Sequence, residues 1–135
     1  MNCLPVRLAP GADLRRALEQ EASARLADGA FVVAGIGSLA NGVLRLAAAD
    51  HETRLDEPLE ILSLSGTLSA QGGHLHISVA TASGRVWGGH LCHGSLVRTT
   101  AEVLLVPTEG WQLGRALDPH TGFQELQVRP LAPDA

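Results

Sequence analysis

Apolar positions in this chain repeat with two periods, and the longer one comes first. Leu14, Leu18, Ala22 and Leu26 recur every four residues with Ala17 beside them, while Arg15, Arg16, Glu19, Glu21 and Arg25 fall mostly elsewhere. This spacing predicts an amphipathic helix. Asp13 is its expected N-cap, and Asp28 with Gly29 its stop. Ahead of it, Pro5 to Leu8 reads as a short strand. After it the period drops to two. Ala30 to Ile36 is a short apolar run, expected to be a strand buried on both faces. Asn41-Gly42 is a strong hairpin dipeptide, so Val43 to Ala47 is expected to pair back on that strand. Asp50 to Pro58 is a charged loop that leaves His51 solvated.

The long strands follow. Leu59 to Leu68 is expected to carry Leu62, Leu64 and Leu68 on one face and Ile61, Ser63, Ser65 and Thr67 on the other. Gly66 inside it signals a bulge or a close backbone approach. Ala70 to Gly73 is a turn. His74 to Thr81 alternates cleanly, with Leu75, Ile77 and Val79 as the core face and His74 and His76 on the other. Val86 to His90 continues as a glycine-rich strand. Leu96 to Val106 is a long strand with Arg98, Thr100 and Glu102 on one face and Val97, Ala101, Val103 and Leu105 on the other. Pro107 to Gly122 reads as irregular, with Trp111 covering part of the core. Phe123 to Val128 is the last expected strand, and 131–135 a loose tail. One helix among many hairpin-spaced strands predicts an α+β fold, mostly antiparallel, in one domain over 1–135.

Composition narrows the function classes. The chain has 135 residues and a formal charge of −4, which argues against strong non-specific DNA binding by one protomer. All ten basic residues are arginine. Abundant Ala, Gly and Leu make a GC-rich genome the plain explanation. Cys3 and Cys92 form no disulfide framework or CxxC knuckle. MNCLPVRL has no basic-then-apolar leader, and no apolar run is long enough to span a membrane, so a cytoplasmic protein is expected. Gly35-x-Gly37-x-x-Ala40 after a strand imitates a dinucleotide-binding turn, but that motif needs a helix to follow. Here a turn and a second strand follow, so no NAD site is expected.

The chemistry concentrates in the histidines. His74 and His76 share one strand face, about 7 Å apart along the strand. His90, after Gly88 and Gly89, is the natural third ligand from a neighbouring strand. Three neutral imidazoles with a fourth position open suit an exchangeable or catalytic zinc site. The competing interpretation is that these rings hydrogen-bond to backbone around the glycine-rich turns. Cys92 and His93 are second-choice ligands. Glu60 and Glu102 are candidate general bases, although pairing with Arg45 or Arg98 is the plainer role for both. No GxSxG, P-loop or HExxH motif is present, which weighs against an enzyme.

The blocks RLAPGADLRRALE, GIGSLANGVLRLA, PLEILSLSGTLS, GGHLHISVA, GRVWGGHL, GSLVRTTAEV and GRALDPHTGFQEL, in that order, are similar to those of the PPC domain, conserved in plants and prokaryotes. The resemblance implies an antiparallel sheet with one main helix and a homotrimer. It also implies a metal site at His74, His76 and His90. By the same analogy, the chain would be a stand-alone bacterial DNA-binding or regulatory module that also recruits protein partners. The plant proteins grip AT-rich DNA through an Arg-Gly-Arg-Pro hook, and this sequence contains none. Two functions remain open: a trimeric zinc-carrying binding module, or a small metal-dependent hydrolase or lyase using the same histidines.

Overall fold

A computed structural model describes residues 2–132 of the chain. Among the described residues there are ten strands and one helix. In chain order they are β1 (Leu4–Leu8), α1 (Leu14–Arg25), β2 (Ala30–Leu39), β3 (Gly42–Arg45), β4 (Thr53–Leu55), β5 (Leu59–Ser69), β6 (Gly72–Thr81), β7 (Val86–Leu91), β8 (Val97–Pro107), β9 (Trp111–Leu117) and β10 (Gln124–Pro130). Eight strands form one sheet in the order β1-β8-β2-β5-β6-β7-β3-β4, and β9 and β10 form a separate hairpin. All the pairings are antiparallel. The α+β expectation therefore holds.

The helix forms where its pattern predicts. Leu14, Leu18 and Ala22 are buried, and α1 packs on β5 and β6. Removing one such leucine side chain from water is worth roughly 1.5–3 kcal/mol, so this stripe holds the helix more firmly than propensity does. The Asp13 carboxylate accepts from Arg16 N at 3.1 Å, which caps the helix. Its other oxygen accepts from Gly94 N at 2.7 Å, which ties the cap to the turn before β8.

Several expectations about strands fail, each for an identifiable reason. Asn41-Gly42 does not make a hairpin. β2 pairs with β5 and β8, whereas β3 pairs with β4 and β7, so the dipeptide is a bend that carries the chain away. Asn41 instead donates to the Gly94 carbonyl at 2.8 Å. β2 is not buried on both faces, because Phe31, Val33 and Ile36 are exposed. On β5, the register shifts between Ile61 and Ser63. The extra residue flips the parity, so Leu59 and Ile61 point inward before the shift and Leu64 and Leu68 after it, while Leu62 is exposed. Gly66 is the close approach rather than the bulge. It has φ +144°, and a β-carbon there would run into the His74 carbonyl. The charged loop contains the short strand β4, and the segment read as irregular, Pro107 to Gly122, contains β9, which pairs with the expected last strand, β10. Trp111 is half exposed, and Leu113, two residues on, is buried instead. Leu131 is tied by its N–H to the Gly110 carbonyl at 2.9 Å, and 133–135 of the expected tail lie outside the described residues.

Gly35 and Gly37 have a packing role that explains the dinucleotide mimicry. A β-carbon on Gly35 would crowd the Leu64 side chain, and one on Gly37 would strike the Thr100 carbonyl. The glycines let β2 sit tightly between its neighbours in mid-sheet.

Candidate metal centre

The three histidines converge because of strand register. His74 and His76 lie two apart on β6, so they project to one face, while Leu75 and Ile77 between and beyond them are buried. His76 is the direct cross-strand partner of His90 on β7. Gly89, beside His90, permits this placement: a β-carbon there would come within 2.7 Å of the Arg45 carbonyl. Gly88 meets only an ordinary 3.6 Å contact, so one glycine of the pair is demanded by packing and the other is not.

One ligand atom from each ring lies within 4.8 Å of those of the other two. The ring centroids are 5.0 Å apart for His74 and His76, 5.1 Å for His74 and His90, and 4.6 Å for His76 and His90. None of the three rings makes a hydrogen bond to protein among the described residues, which removes the interpretation in which they brace the turns. Partial burial, then the nearby Arg115 and His76 charges, hold His74 below the ordinary histidine range, while Glu125 pulls the other way. Burial, then Arg45 and the neighbouring histidines, do the same to His90. Both shifts favour the neutral, electron-donating form that a cation needs. The three histidines form a group that can hold a metal ion.

An open cleft of about 820 Å³ borders His74 and His90. Arg15 braces its floor, donating to the Gly73 carbonyl at 2.8 Å and the Leu91 carbonyl at 3.2 Å, beside His74 and His90 respectively. Glu19 holds Arg15 from the helix at 2.9 Å.

The other candidates stand apart from this group. Cys92 is buried nearby, with its Sγ 3.9 Å from the His90 carbonyl, and burial pushes its thiol up. His93 turns to the helix, and its Nε2 lies 2.7 Å from Glu19 Oε2. Glu60 is exposed opposite Ala80, and Glu102 on β8 is opposite Arg7 and Ile36. Neither glutamate makes an ion pair with Arg45 or Arg98 among the described residues, so the expected pairings do not form. The carboxylate that reaches the cleft is Glu125, from β10. Sequence reading missed Arg115 because the segment that holds β9 was read as irregular, and missed Glu125 because its strand, although expected, had no partner to bring it to the cleft. The alternation of Leu113 with polar neighbours was the available signal.

Comparison with known proteins agrees with this architecture. The model of the Plants and Prokaryotes Conserved (PCC) domain matches residues 1–109, ending before β9. Bifunctional protein GlmU of Synechococcus sp. (strain JA-2-3B'a(2-13)) is 45% identical over 134 residues, which is 99% of this chain and 21% of that protein. The chain thus spans 21% of the length of the curated relatives it matches. A hypothetical protein from Salmonella cholerae-suis (Salmonella enterica) has a solved structure with TM-score 0.92 at 30% identity, covering 96% of this chain and 94% of that one. The metal-containing protein AF0104 from Archaeoglobus fulgidus superposes with TM-score 0.80 at 29% identity, covering 94% of both chains. With the family model matching most of its length, the chain belongs to the Plants and Prokaryotes Conserved (PCC) domain family.

Proposed function

We propose that this chain is a metal-holding binding module in which His74, His76 and His90 ligate one zinc ion, and that it acts as a homotrimer in a regulatory role. The observation that carries this reading is the convergence of three imidazole donors within 4.8 Å of one another. Zinc binds histidine nitrogen at about 2.0–2.1 Å in tetrahedral geometry. Small rotations of these accessible rings would bring the donors to that spacing. The similarity to a metal-containing protein from Archaeoglobus fulgidus supports a metal here, and the all-nitrogen donor set favours zinc over magnesium or calcium. DNA association rests on family analogy alone and stands opposed by the net charge of −4.

Elemental analysis of the purified chain tests the metal. About one zinc per chain is expected, lost in His90→Ala and in His74→Ala. A wild-type chain that takes up no zinc after incubation with the ion and desalting would sink the reading.

One observation favours a second reading, a small metal-dependent hydrolase or lyase. The cleft beside His74 and His90 leaves room for a substrate next to the site. A bound zinc would supply Lewis acidity there. Within that reading Glu125 is the carboxylate in position to exchange protons, and Glu60 and Glu102 are not. A screen of small esters, amides and hydroxy acids that shows turnover in the zinc-loaded chain but none in His90→Ala would favour it.

A further inference from the structure

The cleft gathers three arginines, Arg15, Arg45 and Arg115, and the one carboxylate among its described lining residues, Glu125, makes no ion pair with any of them. Arg45 is the direct cross-strand partner of His90 in the β3–β7 pairing, and opposed residues share one sheet face. Arg115 reaches in from β9 and donates to Thr67 Oγ1 at 2.6 Å. Thr67 is in turn the cross-strand partner of His74. The two arginines therefore flank the two histidines that border the cleft, one on each side, and both line it.

Both arginines are half-buried, yet neither has a carboxylate within ion-pair distance among the described residues. Arg45 makes a single weak hydrogen bond, to the Ala49 carbonyl at 3.5 Å. Arg15 differs, since each of its three guanidinium nitrogens already donates, to Glu19, Leu91 and Gly73. A partly desolvated guanidinium without an anion is a poor arrangement in isolation, because its charge has lost water and gained no partner. The planar guanidinium fork matches the oxygens of phosphate and carboxylate.

We propose that Arg45 and Arg115 form an oxyanion-binding pair, and that the cleft takes a small organic molecule bearing a phosphate or carboxylate group. The proposal rests on the zinc reading for what the anion lies beside, but the arginine pair binds with or without the metal. A volume near 820 Å³ suits a metabolite rather than a polymer. Phe123 and Gln124 also line the cleft, offering an apolar ring and an amide to the rest of the molecule. Arg115 and Phe123 lie beyond residues 1–109, the part of the chain that the family model matches.

Calorimetric titration of the full chain with inorganic phosphate, and separately with succinate, tests this, with zinc content measured on every sample. Saturable binding of at least one anion is expected. Arg45→Gln and Arg115→Gln should each weaken it by about tenfold or more, the effect of removing one charge-assisted contact, with zinc content unchanged. Arg45→Lys, which keeps the charge, should fall between. Stronger binding of phosphate assigns a phosphate ester, and stronger binding of succinate assigns a carboxylate. No saturable binding to the wild type, or wild-type affinity in both glutamine variants, overturns the proposal. Displacement of the bound anion by a duplex oligonucleotide, with the same arginine dependence, would reassign the pair to a nucleic-acid backbone and overturn it too. A wild type without zinc that still binds anions through both arginines removes the metal reading and keeps this one.

Discussion

Glu19 shows how one side chain couples the helix to the site. Its Oε1 accepts from Arg15 Nε and from Gly73 N, both at 2.9 Å, and its Oε2 lies 2.7 Å from His93 Nε2. Burial pushes this carboxyl up, but the bonds from His93, Gly73 and Arg15 outweigh it and leave it below the usual range. Gly73 precedes His74, so the helix sets where the first ring begins. The rings themselves respond to acid in a fixed direction. His74 and His90 have folded values below the ordinary 6.5, set first by burial and then by the arginines. They resist protonation in the fold more than in the unfolded chain, so the unfolded state binds more protons as pH falls below 6.5, and stability of the metal-free chain declines there. Zinc needs the same neutral rings. A zinc-loaded chain dialysed at stepwise lower pH should keep its metal at pH 7 and through the ordinary histidine value of about 6.5, and release it only at lower pH, because the folded rings are held below that value. Retention through pH 4 would show that the histidines are not the ligands.

At the scale of elements, the site depends on how closely strands can approach. β7 reaches β3 at Gly89, where the Arg45 carbonyl leaves no room for a methyl group, and β5 reaches β6 at Gly66 in the same way. Gly89→Ala should therefore destabilise the chain by about 1–3 kcal/mol, the usual cost of forcing extra volume into a tight contact, and should lower zinc content by displacing His90. Gly88→Ala, one residue away, should melt within about 0.5 kcal/mol of the wild type and keep its zinc. Equal melting temperatures for the two variants would contradict this account. The β9–β10 hairpin is the other element that matters, since it alone brings Arg115 and Glu125 to the cleft.

The whole molecule leaves one sheet face unfinished. Val33 and Ile36 on β2 and Leu62 on β5 are 55%, 57% and 51% exposed, on the central strands of the sheet. The apolar surface extends at Ile36 towards Val6 and Leu104, which line the same hollow. Large apolar side chains in mid-sheet exposed to water mark a contact surface, and the trimer is the assembly we propose for it. Light scattering on the eluted protein should give three times the 14.1 kDa of one chain. Ile36→Asp should reduce that mass towards one chain, while its zinc stays bound. A wild type that elutes as a monomer at all concentrations would dispose of the trimer. No helix among the described residues is long and apolar enough to cross a membrane.

What the sequence determined by itself were the features written in local periodicity. The four-residue repeat from Leu14 to Ala22 made the helix, Asp13 made its cap, and alternation along Gly72–Thr81 put His74 and His76 on one face. Those signals involve neighbours a few residues apart, so they survive without knowledge of the fold. Tertiary structure decided the rest. The shift between Ile61 and Ser63 turned Leu62 outward, and an inserted residue is invisible to a strict period of two. The bend at Asn41-Gly42 sent β3 to β7 instead of back to β2, because the register against distant strands outweighed the local turn preference. Arg45 and Arg115, seventy residues apart in sequence, came to flank the histidines through pairings of His90 with Arg45 and of His74 with Thr67. Such long-range pairings depend on which faces can be buried together, and no single segment carries that information.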